Sequence, residues 1–191
     1  KNAYVKNNMF HIVAINEKKG NNRFTSTRLV TKGKVSFKYG RLEIRAKLPA
    51  AKGTWSAFWL FGRGEKYSEI DIMENVGYEK ELVWFSAHSE SGTANKDAHH
   101  TAPITIKDTD TAFHVYSVDW TPEHIIGYVD GIQYFSLYKK DLKPDQWTFD
   151  DKMFLIINLA VGGSWGGYEG VDDEKFPQTI KVDYVRVYEN K

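Results

Sequence analysis

The sequence predicts an all-β protein built as a sandwich of packed sheets. Three observations carry this. Short apolar runs alternate with polar residues at period two, the spacing of a half-buried strand. Gly, Pro, Asn and Asp punctuate these runs closely, and no stretch has the spacing of a long amphipathic helix. Asp130-Gly131 stands between Ile125–Val129 and Ile132–Leu137, a strong signal for a two-residue hairpin turn. At 191 residues, with no internal repeat or low-complexity linker, the chain is one domain by length.

Met9 to Ile15 reads as the first strand, closed by the polar turn Glu17 to Asn22, and Phe24 to Thr31 as the next. Val35 to Leu48 contains the cleanest alternation. Leu42, Ile44, Ala46 and Leu48 form one face; Arg41, Glu43, Arg45 and Lys47 form the other. By residue type alone that charged row is a solvent-facing surface. Thr54 to Gly62 places Trp55 and Trp59 four apart, hence on one face, and counting alone favours core packing for both. The polar stretch Arg63 to Tyr67 is a loop whose single aromatic residue is Tyr67.

Ser68-Glu69-Ile70-Asp71-Ile72-Met73-Glu74-Asn75 is the stretch on which the rest turns. Alternation puts Glu69 and Asp71 on one face and Ile70 and Ile72 on the other. Continued unbroken, it would drive Glu74 into the core, and a buried carboxylate without a partner is costly. A β-bulge near Ile72-Met73 is therefore expected, turning Met73 inward and returning Glu74 to the acids' face. Two acids in alternation are most often a solvated surface. Three with this apolar interleaving point instead to glycoside chemistry, which needs one carboxylate as nucleophile or base and another as proton donor. Charge repulsion between neighbouring acids is the physical means of separating those roles.

Leu82 to Ser89 follows, with Trp84, Ser86 and His88 on one face. His99-His100 is read as part of a polar loop after Asn95-Lys96-Asp97. A metal site is rejected there, because adjacent histidines point apart on an extended chain and no further ligand pattern completes the set. Phe113 to Leu137 is a run of hairpins, turning first at Thr121-Pro122-Glu123. Met153 to Val161 leads into Gly162-Gly163-Ser164-Trp165-Gly166-Gly167, whose glycines are expected to hold Trp165 outward on a loop. Val182 to Tyr188 closes the chain.

The run Glu69-Ile70-Asp71-Ile72-Met73-Glu74 resembles the active-site signature of glycoside hydrolase family 16, in its laminarinase-like β-1,3-glucanase branch. The resemblance runs over nearly the whole chain, through Tyr39–Arg45, Thr54–Gly62, the Trp120-Thr121-Pro122 and Val129-Asp130-Gly131 segments, Asn158–Trp165 and Val182–Tyr188. It implies a curved jelly roll, similar to concanavalin A, with a concave substrate cleft. It also implies a retaining double displacement, with Glu69 as nucleophile, Glu74 as general acid/base and Asp71 as the assisting carboxylate. By the same resemblance Arg45, Trp59, His88, Asn158 and Trp165 become sugar-binding candidates, and Asp183 a ligand of a structural calcium. No cofactor is implied for catalysis. The branch commonly carries a longer, Trp-Pro-containing loop where this chain has Arg63 to Tyr67. The family's first two strands have no counterpart, which suggests that a preceding segment or second chain covers exposed strand edges.

Composition bounds the partners. Lys and Arg number 26 against 25 Asp and Glu, a balance that argues for neither nucleic acid nor an acidic polymer. No apolar run approaches the roughly 18–20 residues of a membrane span. There is no cysteine, hence no disulfide, and the redox compartment is unreadable. A secreted location follows from the resemblance alone, since no signal peptide is present. The expected activity is endo-hydrolysis of β-1,3-glucan or mixed-linkage β-1,3-1,4-glucan. The competing expectation is a glucan-binding module of the same fold without catalysis.

Overall fold

The computed structural model describes residues 1–64, 66–89 and 99–189. Glu65 and the Asn95-Lys96-Asp97 loop read from the sequence lie outside the described residues. The chain forms two stacked antiparallel sheets. One, the cleft sheet, runs in the order β4 (Arg28–Val30), β13 (Phe154–Val161), β6 (Thr54–Arg63), β7 (Tyr67–Val76), β8 (Leu82–Ser89), β9 (His99–Thr105). The other, the outer sheet, runs β1 (Ala3–Lys6), β2 (Met9–Lys19), β14 (Gln178–Tyr188), β5 (Gly40–Lys47), β10 (His114–Trp120), β11 (His124–Val129), β12 (Ile132–Tyr138), with β3 (Asn22–Thr25) paired to β2. Among the described residues no helix is long and apolar enough to cross a membrane.

The core lies between the sheets and follows from strand parity. Leu42, Ile44 and Ala46 of β5 and Tyr116, Val118 and Trp120 of β10 face Phe58 and Leu60 of β6, Ile70 of β7 and Val83, Phe85 and Ala87 of β8. Each large apolar side chain buried this way contributes about 1.5–3 kcal/mol. Aromatic edges interlock across the interface, with the Phe58 and Tyr116 rings 5.8 Å apart. The buried Trp120 indole donates to the carbonyl of Phe149 at 3.0 Å, so its one polar atom is satisfied. Asp130 and Gly131 both take positive φ, +52° and +80°, as the predicted two-residue turn between β11 and β12 demands.

The N-terminal third departs from the expected strands. Ala3–Lys6 is itself a strand, pairing with Met9–Lys19 through a turn at Asn7 and Asn8, both at positive φ. Met9–Lys19 runs beyond Ile15, because its polar end pairs with Asn22–Thr25. The single strand read over Phe24 to Thr31 is two: β3 belongs to the outer sheet and β4 to the cleft sheet. His99 and His100 lie in β9, paired with β8, rather than in a loop.

The charged face of β5 is a correction. Its apolar side chains point into the core from the outer sheet, so Arg41, Glu43, Arg45 and Lys47 look away from the cleft. Arg45 donates from Nη1 to Asp183 Oδ2 at 2.6 Å, and its guanidinium lies 4.9 Å from the Phe113 ring centre. It is no sugar ligand of the cleft. Asp183 sits at an irregularity in the pairing of β14 with β5, between Val182 and Tyr184, and turns outward. Asp183 is the residue to which the resemblance assigns a calcium. Its carboxylate accepts from the Arg45 guanidinium, and among the described residues it belongs to no group of three or more His, Asp or Glu side chains that could hold a cation.

Candidate active site

The site is built on the open face of β7, and a register shift makes it. Phe58 and Trp59 are adjacent on β6, yet they oppose Met73 and Asp71, which are two apart; on the other side, Asp71 pairs with Ser86 and Glu74 with Trp84. Ile72 and Met73 therefore sit side by side in the core, both fully buried. This is the bulge that the cost of burying Glu74 demands. Glu69, Asp71 and Glu74 consequently share one face and line a single cavity of about 230 Å³ with Arg28, Trp55, Trp59 and Asn158.

Each carboxylate has its own partner. The Tyr67 hydroxyl donates to Glu69 Oε2 at 2.7 Å. His88 Nε2 lies 2.8 Å from Asp71 Oδ2. The Trp55 indole donates to Glu74 Oε1 at 2.9 Å. Burial, and then the neighbouring Glu69 charge, push Asp71 well above the usual aspartate range. Burial also pushes Glu74 up to about 7, with the charge on Asp71 the second cause and the Trp55 hydrogen bond working against both. The order matters. Desolvation rather than Asp71 is the main reason that Glu74 holds a proton near neutrality, the position a general acid/base requires. Burial lowers His88, so its neutral form is favoured at Asp71's side.

A second cavity of about 290 Å³ begins where the first ends. Glu74, Trp84, Ser86, His88, His99, Thr101 and Trp165 line it, so Glu74 stands at the boundary of two sugar-sized spaces. His99 is paired across β9 with His88, and their Nδ1 atoms are 2.7 Å apart. Glu69, Asp71 and His88 present ligand atoms within 4.8 Å of one another, the one such cation-capable group among the described residues. All three side chains already take part in the polar contacts described above.

The aromatic residues follow from parity and glycine. Trp55 and Trp59 both face the cleft, against the core packing that counting favoured, because the opposite parity of β6 carries Phe58 and Leu60 into the core. Trp59 donates to Asn158 Oδ1 at 2.8 Å, and the Arg28 guanidinium stacks 4.6 Å from its ring centre. Trp165 is half-buried rather than held free in solvent. It meets Trp55 at 5.4 Å and Trp84 at 6.3 Å, edge to face in each case. The loop packs this closely because a Cβ on Gly166 would stand 2.8 Å from the Cβ of Trp55.

Of the residues singled out from the sequence, Glu69, Asp71, Glu74, Trp59, His88, Asn158 and Trp165 come together in the two cavities, while Arg45 and Asp183 lie on the opposite sheet. Arg28, Tyr67, His99 and Thr101 were not recognised as part of the site. Parity could have offered His99 and Thr101 as a pair, but only with β9 recognised as a strand.

A β-sandwich with three clustered carboxylates, one of them raised to about 7, in an open, tryptophan-lined cleft defines a carbohydrate-cleaving protein of the glycoside hydrolase class. The comparisons make it specific. The model for glycosyl hydrolases family 16 matches residues 1–186. A β-glucanase of Rhodothermus marinus is 40% identical over 200 residues, covering 98% of this chain and 70% of the relative. A glucan endo-1,3-β-glucosidase A1 of Niallia circulans is 33% identical, covering 100% of this chain but 31% of that protein. The laminarinase catalytic domain of Thermotoga maritima superposes with a TM-score of 0.91 at 36% identity, covering 100% of this chain and 81% of that one. This chain belongs to glycoside hydrolase family 16.

Proposed function

We propose that the chain is a retaining endo-β-glucanase that hydrolyses β-1,3-glucan of the laminarin type or mixed-linkage β-1,3-1,4-glucan. The observation that carries this is the tuning of Glu74, raised to about 7 beside Glu69 and Asp71 at the junction of two cavities. The β-1,3-glucanase and laminarinase names of its relatives supply the substrate class. In the first step a lone pair of Glu69 attacks the anomeric carbon, the glycosidic C–O bond breaks, and Glu74 gives its proton to the departing oxygen. In the second, water attacks the same carbon, Glu74 takes the water's proton, and the electron pair of the ester bond returns to Glu69. Asp71 and His88 would steady the pair, with Trp59, Asn158 and Trp165 binding sugar rings. Two carboxylates suffice for this chemistry. A polymeric substrate supports a secreted or extracytoplasmic location.

The test uses the Glu69→Ala and Glu74→Ala variants on an activated aryl β-glucan oligomer, with and without azide. Glu69→Ala should be inactive without azide and should yield an inverted glycosyl azide with it. Glu74→Ala should retain activity on the activated leaving group and yield the retained azide. Identical responses, or an inverted product from the unmodified protein, would overturn the assignment. Reducing-end release across laminarin, mixed-linkage glucan and agar then separates the substrates, and binding without release would favour a non-catalytic module.

A further inference from the structure

Tyr67 opens β7 two residues before Glu69, instead of belonging to the loop that precedes it. Parity puts both on the cleft face, and the phenol donates to Glu69 Oε2 at 2.7 Å. The ring has little freedom. It stands edge to face on Phe61 at 5.6 Å, and Phe61 is itself wedged against Trp59 and Phe154 at 5.9 and 5.6 Å. The Tyr67 carbonyl accepts from Thr148 Oγ1 at 2.9 Å, and Ser68 Oγ donates back to the Thr148 carbonyl. The donor is thus anchored on both its side chain and its backbone.

We propose that Tyr67 is a positioning residue for the nucleophile, holding Glu69 Oε2 and assisting the release of Glu69 in the second step. The inference rests on the nucleophilic role given to Glu69 above. A hydrogen bond to a carboxylate is stronger than one to an ester oxygen, because the acceptor carries charge. The Tyr67 bond is therefore weakest in the glycosyl-enzyme and strengthens as the ester C1–O bond breaks and its electron pair returns to Glu69. Interactions that grow toward a transition state accelerate that step. In the first step the same bond weakens as Glu69 loses its charge, so it gives no comparable help there. Burial and the Glu69 charge raise the phenol well above its ordinary range, which keeps the proton on the donor.

Tyr67→Phe removes the hydroxyl and keeps the ring packed on Phe61. On an activated aryl β-glucan oligomer, kcat should fall about ten- to hundredfold, the worth of a hydrogen bond to a charged group. KM should fall in parallel, leaving kcat/KM within about threefold. A burst of aryl release approaching one per enzyme should precede the slow phase, and intact-mass analysis should show the glycosyl-enzyme accumulating. A merely structural role would lower kcat and kcat/KM together, with no burst and a reduced melting temperature. That result, or unchanged kinetics, would overturn the proposal while leaving the proposed function standing. An unmodified protein that releases no aryl group would instead overturn the function, and this inference with it.

Discussion

The indole of Trp55 and the carboxyl of Glu74 lie on neighbouring strands, joined by a 2.9 Å hydrogen bond at the junction of the two cavities. The bond favours the charged carboxylate, whereas burial and Asp71 favour the neutral acid. The proton on Glu74 is set by that opposition.

Removing the indole N–H should tip it. In Trp55→Phe the charged form loses its donor, so Glu74 rises above about 7 and the alkaline limb of the kcat/KM profile moves to higher pH. The loss of kcat/KM at the optimum should stay within about tenfold. A limb that moves to lower pH would show that Trp55 does not act on the carboxylate.

Glu74 also makes stability depend on pH. Its value in the folded protein, about 7, lies above the ordinary glutamate value, so the native state binds the proton more tightly than the unfolded chain. Stability is therefore fully present below the unfolded value and is lost as pH rises through about 7. Glu74→Gln keeps an acceptor for Trp55 and removes this loss. Its melting temperature should exceed that of the unmodified protein by a few degrees at pH 8, at about 2–4 °C per kcal/mol, with the gap closing near pH 4. Calorimetry at the two pH values decides it; an equal gap at both would rule out proton linkage.

Trp165 should contribute to binding and, through its contacts with Trp55 and Trp84, modestly to stability. Trp165→Ala should raise KM for polysaccharide about tenfold, with a melting temperature lower by only a few degrees, since each aromatic pair is worth about 0.5–1.5 kcal/mol beyond burial. A drop above about 10 °C with KM unchanged would make it a core residue.

Arg45 should be kinetically silent. It lies on the outer sheet, and its ion pair with Asp183 is more than a third exposed on both sides. Arg45→Ala should leave KM and kcat within about twofold and cost about 0–1 kcal/mol. A marked rise in KM for Arg45→Ala would restore it to the substrate path.

The sequence alone determined the strand periodicity, the hairpin at Asp130-Gly131, the common face of Glu69, Asp71 and Glu74, and the bulge that joins them. These are local consequences. Successive side chains alternate, and an unpaired carboxylate is costly to bury, so a dozen residues contain the whole argument. Only the tertiary structure decided which sheet each face belonged to. Parity makes Arg41, Glu43, Arg45 and Lys47 one row. Whether that row meets substrate or solvent depends on β5 lying between β14 and β10, partners far away in sequence. The same holds for Arg28, brought to Trp59 by the pairing of β4 with β13, and for His99, brought to His88 by the pairing of β9 with β8. Alternation along a strand is written in its own residues, whereas the neighbours of a strand are chosen by the packing of the entire sandwich.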